Sequence, residues 1–116
     1  MNIHVHTLKN SEHPLKNYYY IIVDQTTKEA IIVDPSGPIH KIDQKLSKCS
    51  ASLSTILVTH SHSDHVDLIN ILVKKYNSKV LMSKVEIHYY GFHCDNLFPI
   101  EEFTPFPLAI IMYCPY

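Results

Sequence analysis

The stretch Ser54–Tyr76, STILVTHSHSDHVDLINILVKKY, runs from an apolar segment through His60, His62, Asp64 and His65 into a second apolar pattern. Thr55 to Thr59 is a continuous apolar-plus-threonine run of the kind that forms a buried strand. After the cluster, Val66, Ile69, Val73 and Tyr76 recur at helical spacing, and Lys74 and Lys75 suit the negative end of a helix dipole. The stretch therefore predicts strand, loop and helix, with three imidazoles and a carboxylate gathered in the loop. Residues two apart in an extended segment project to the same side, so His60 and His62 can converge on one ion. Asp64 and His65 fall where the chain turns into the helix. Ser63 or Asp64 can also cap that helix, so capping competes with ligation at Asp64. Neutral imidazole and carboxylate suit zinc, and also iron or manganese. With this chain's own His and Asp frequencies, an H-x-H-x-D-H arises by chance in roughly three sequences per thousand. The cluster therefore reads as a metal-derived motif.

Working outward, Tyr18–Asp24 (YYYIIVD) and Glu29–Asp34 (EAIIVD) flank the polar segment Gln25–Lys28. That pattern predicts an antiparallel hairpin with a four-residue loop. Ile3 and Val5 alternate with His4 and His6, which predicts a short half-buried strand. Pro35–Pro38 (PSGP) stops the second hairpin strand, and Ile39, Ile42 and Leu46 then share one helical face. Downstream, Ser78–Met82 (SKVLM) predicts another strand. Ser83 and Glu86 have capping-box spacing for a brief helix that Gly91 would end. From Leu97 on, Pro99, Pro105 and Pro107 interrupt the pattern and no element is assigned. Strands alternating with helices predict an α/β architecture.

Composition narrows the function classes. The 116 residues predict one domain, 1–116, and 46% hydrophobic content is enough for a core. The net charge of -1, without a basic block, argues against nucleic acid and anionic membrane as partners. No secretory signal is visible, and no apolar run approaches the roughly 20 residues of a membrane span. Cys49, Cys94 and Cys114 are too few and too scattered for a disulfide framework, which fits a reducing cytoplasm.

Outside the cluster, His93, Cys94 and Asp95 could bind zinc, but a loop following a short helix explains them more simply. His4 and His6 repeat the H-x-H spacing without an acidic partner and are read as an exposed strand face. Cys49 follows an amphipathic helix with no histidine-based triad visible around it, so it is not read as a nucleophile.

Thr59–His65, THSHSDH, resembles the H-x-H-x-D-H signature of the metallo-β-lactamase superfamily, which includes glyoxalase II-like thioesterases and lactonases. The segment YYIIVDQTTKEAIIVDP resembles that family's opening hairpin, which ends in the same V-D-P before a helix. The resemblance covers roughly residues 1 to 98. It implies the N-terminal half of a four-layer αβ/βα sandwich, a mixed sheet with flanking helices. It also implies that His60 and His62 belong to one zinc ion and Asp64 and His65 to a second, with iron or manganese as alternatives. Asp64 is then the candidate catalytic carboxylate, and Asp34 a structural support behind the loop. The implied activity is hydrolysis of an ester, thioester or lactone by a hydroxide held on the ions.

The family pattern also includes a G-H-T histidine and a downstream aspartate and histidine. This sequence has no G-H pair and no histidine after His93, and it carries Asp67 where glycine is common. The chain is accordingly expected to be a truncated form of low or no activity alone, the alternative being a non-catalytic metal-binding fragment. Half a sandwich leaves an apolar sheet face uncovered, through which the chain could form a homo-oligomer.

Overall fold

The computed structural model describes residues 2–10, 17–36, 38–59, 66–91 and 94–100. Six strands form one mixed sheet whose spatial order follows the sequence: β1 (Ile3–Asn10), β2 (Asn17–Asp24), β3 (Glu29–Val33), β4 (Ser52–Val58), β5 (Lys79–Ser83) and β6 (Leu97–Ile100). The first two pairings are antiparallel, and the three from β3 onward are parallel. Helix α1 (Ile39–Lys48) crosses from β3 to β4, α2 (Val66–Tyr76) from β4 to β5, and the short α3 (Lys84–Tyr90) follows β5.

The hairpin forms where the two β-rich runs placed it, with Gln25–Lys28 as its loop. Asp24 closes the loop locally, its Oδ1 accepting the Thr26 amide at 2.9 Å, and Lys28 takes φ +63° to re-enter the ladder. β1 runs to eight residues, longer than the Ile3–Val5 pattern announced, because it pairs with β2 along its whole length. β6 forms although it contains Pro99. It is the outermost strand among the described residues, and at a sheet edge a missing amide hydrogen bond costs little.

One sheet face packs against the helices. Tyr19, Ile21, Val23, Ala30, Ile32, Leu53, Ile56, Val58, Val80 and Met82 bury there against Ile42 and Leu46 of α1 and Ile69, Leu72 and Val73 of α2. A bulge in β4 keeps that face in phase: Ala30 pairs with Leu53 and Ile31 with Thr55, leaving Ser54 extra. Ser54 Oγ donates to the Ala30 carbonyl at 3.2 Å. On the opposite face, Ile31, Thr55 and Leu81 are buried, but Val5, Tyr18 and Tyr20 toward β1 are 60%, 53% and 39% exposed. No helix among the described residues is long and apolar enough to cross a membrane.

Candidate metal centre

Four parallel strands end on the same edge of the sheet, so Asp34, Thr59 and Ser83 follow or close neighbouring strands there. Residues beyond the carboxyl ends of parallel strands are where open α/β sheets place their ligand sites. Residues 60–65 connect β4, which ends at this edge, to α2. His60, His62, Asp64 and His65 all belong to this connection, outside the described residues.

What the structure does show is how the loop's entry is held. Asp34, directly after β3, adopts φ +50°, a left-handed conformation that Asp tolerates better than most side-chain-bearing residues. Its amide donates to the Leu57 carbonyl at 2.9 Å, extending the β3–β4 ladder by one step. Its carboxylate then reaches across to Thr59, with Oδ1 accepting the Thr59 amide at 2.8 Å and Oδ2 accepting the Thr59 hydroxyl. Both lie on the residue immediately before His60. A carboxylate on a main-chain amide and a hydroxyl fixes the strand end more firmly than a neutral acceptor would.

Among the described residues, no three His, Cys, Asp or Glu side chains come together as a group that could hold a metal ion. The 60–65 segment, with its four candidate ligands, is not among those residues. Its three imidazoles and one carboxylate, without thiolate, are a donor set that fits zinc. The second candidate cluster is divided. His93 lies outside the described residues, and Cys94 is buried, its thiol pushed up to about 11 by burial and by neighbouring Asp95. A buried thiol held protonated is a poor ligand.

Sequence reasoning missed one pair. His6 is only partly exposed, and its Nε2 lies 3.6 Å from the Sγ of Cys49, 43 residues away. Only the docking of α1 beside β1 brings the two together. The H-x-H spacing of β1 reads as an exposed strand face and gives no sign of a thiol partner.

The family model described as the metallo-beta-lactamase superfamily matches residues 14–106. Among curated proteins, the probable polyketide biosynthesis zinc-dependent hydrolase PksB of Bacillus subtilis is 45% identical over 98 residues, covering 84% of this chain and 44% of that protein. The hydroxyacylglutathione hydrolase of Chromohalobacter salexigens is 37% identical over 65 residues, covering 56% of this chain and 25% of that protein. Among solved structures, a metallo-beta-lactamase from Staphylococcus aureus superposes with a TM-score of 0.68 at 19% identity, covering 84% of this chain and 28% of that one. That likeness shows a shared fold. The chain spans less than half the length of each of these proteins. With a family match across most of its residues and a sheet that superposes on a solved relative, the chain belongs to the metallo-beta-lactamase superfamily.

Proposed function

We propose that this chain binds zinc through His60, His62, Asp64 and His65, up to two ions, and serves hydrolysis of a small ester, thioester or lactone. The observation that carries the reading is the Asp34 carboxylate fastened to both the amide and the hydroxyl of Thr59. It anchors the residue before His60 at the carboxyl edge of the parallel strands, where a ligand site belongs. Similarity to a zinc-dependent hydrolase and to a hydroxyacylglutathione hydrolase supports the metal and the reaction class. Bound zinc supplies a lowered pKa to its water and polarisation to a carbonyl. Of the chain's own residues, Asp34 positions the loop, the three imidazoles and Asp64 hold the metal, and Asp64 is the catalytic carboxylate.

A second reading, metal binding without catalysis, is favoured by the lack of any further ligand group among the described residues. Two protein ligands per ion fall short of the three usual in catalytic zinc sites. Elemental analysis of the purified chain after dialysis, beside a His60→Ala, His62→Ala double variant, tests both. About one or two ions per wild-type chain and none in the variant is the expected result. Retention together with thioester or lactone hydrolysis supports the enzyme. Retention without hydrolysis supports the second reading, and no metal in either protein overturns the site.

A further inference from the structure

The pair formed by Cys49 and His6 lies away from the metal loop. Cys49 sits just before β4 and the loop leaves after it, so the seven residues of that strand, roughly 20 Å, separate them. Its position is tightly defined. Cys49 caps the C-terminus of α1, with its amide bonded to the Lys45 carbonyl at 3.1 Å. Ser50 then turns left-handed at φ +52°, its amide meets the Ser47 carbonyl at 3.1 Å, and the Ala51 amide meets the Leu46 carbonyl at 2.9 Å. These two bonds are a Schellman closure, which locks the last turn and aims the Cys49 side chain at β1.

Beside the pair runs a groove of about 490 Å³ between Leu8 of β1 and the outer flank of α1, lined by Lys41, Gln44, Lys45, Ser47 and Lys48. The three lysines sit at helical spacing along one flank, and no carboxylate is among the described lining residues. Such a surface favours anions. Lys45 joins the groove to the pair, since its charge acts on the His6 ring. Burial first, then Lys45 and His4, hold the His6 pKa below its ordinary value, so near neutrality the ring is free to accept a proton. Lys45 and Lys48 lie in the last turn of α1, which Cys49 caps.

We propose that Cys49 and His6 form a thiol–disulfide exchange site selective for small anionic disulfides, with the lysine-lined groove holding the anion. His6 Nε2 takes the thiol proton as the Cys49 sulfur attacks one sulfur of the incoming disulfide. A new S–S bond forms as the old one breaks. Cys49 is oxidised to a mixed disulfide, the other half of the reagent leaves as a thiolate, and His6 returns the proton to it. Cys94, buried and with its thiol raised to about 11, stays unmodified.

The test compares two reagents on the 116-residue chain: the dianionic disulfide 5,5′-dithiobis(2-nitrobenzoate) and the neutral 4,4′-dithiodipyridine. Peptide mass spectrometry assigns the label. Each rate is divided by that of the same chain denatured, which removes the reagents' intrinsic difference. The anionic reagent is expected to modify Cys49 about ten-fold faster than the neutral one on this scale. Raising salt, or the variant Lys41→Gln, Lys45→Gln, Lys48→Gln, should remove that advantage. His6→Gln should slow both reagents. Equal normalised rates for the two reagents at low salt would overturn the proposal, as would a Cys49 left unlabelled in the folded chain. The salt comparison uses the unsubstituted chain, so the test stands even if a variant fails to fold.

Discussion

At the scale of the residue, Asp34 combines two demands that substitutions can separate. Its backbone is left-handed at φ +50°, and its carboxylate holds Thr59. Asp34→Gly keeps the backbone and removes the carboxylate, and urea denaturation should show a loss of about 2 kcal/mol. Asp34→Ala adds left-handed strain and should lose about 1 kcal/mol more. Equal losses in the two would mean that the backbone conformation carries no cost. Tyr19 offers the opposite case. It is fully buried and its hydroxyl has no hydrogen-bond partner among the described residues, while burial raises its pKa. Removing an unsatisfied buried hydroxyl relieves a desolvation penalty, so Tyr19→Phe should be as stable as the parent, or more so by about 1 kcal/mol, in the same urea assay.

At the scale of the element, α1 and α2 are joined above the sheet by Asp43, which accepts from Lys75 Nζ at 2.6 Å and from the Tyr76 hydroxyl. Burial pushes the Asp43 carboxyl up, but hydrogen bonds from Lys75 and Tyr76, with the Lys75 and His40 charges, outweigh it and leave a net lowering. A carboxyl lowered on folding contributes stability at pH above its ordinary value near 4, and that contribution is lost as pH falls through the folded value. The Tyr76 hydroxyl is pushed up to about 12 by burial and by Asp43, so its contribution holds below pH 10 or so and is lost as pH rises through about 12. Denaturation of Asp43→Asn against parent should therefore show a difference that shrinks in acid, from roughly 1 kcal/mol at neutral pH. A pH-independent difference would point to lost packing instead.

These elements were largely legible beforehand. Tyr18–Asp24 and Glu29–Asp34 announced a hairpin as β-rich runs around the polar Gln25–Lys28, and Ile42 with Leu46 announced the buried side of α1. Leu72 was less visible because α2 is apolar on more than one flank, with Ile71 exposed beside it. β6 was hidden by Pro99, whose cost depends on being at an edge, a fact of assembly. The H-x-H-x-D-H segment stood out through the spacing of its residues but lies outside the described residues, whereas the approach of His6 to Cys49 comes from docking one helix on one strand, which no local pattern encodes.

At the scale of the whole molecule, the sheet is covered on its helix side and partly bare on the other, where Val5, Tyr18 and Tyr20 are exposed together toward β1. Exposed aromatic and β-branched residues side by side on a sheet favour association. The chain should therefore sediment as more than a monomer at micromolar concentration. Tyr18→Lys with Val5→Lys should shift it toward monomer while leaving its circular dichroism unchanged. A monomeric parent would remove self-association as the cover for this face.

The order of the strands carries a consequence for how the protein is made. Each strand lies beside the one synthesised before it, and none has to be inserted between two neighbours already in place. The sheet can grow from one side as the chain leaves the ribosome, with the newest strand always at the open margin. β1 and β2 pair through a short stretch of chain, β3 follows through the hairpin loop, and each later strand needs only the connection preceding it. Contacts between near neighbours in sequence close quickly. The strand that precedes residues 60–65 is thus laid down fourth, on a foundation that β5 and β6 do not have to rearrange.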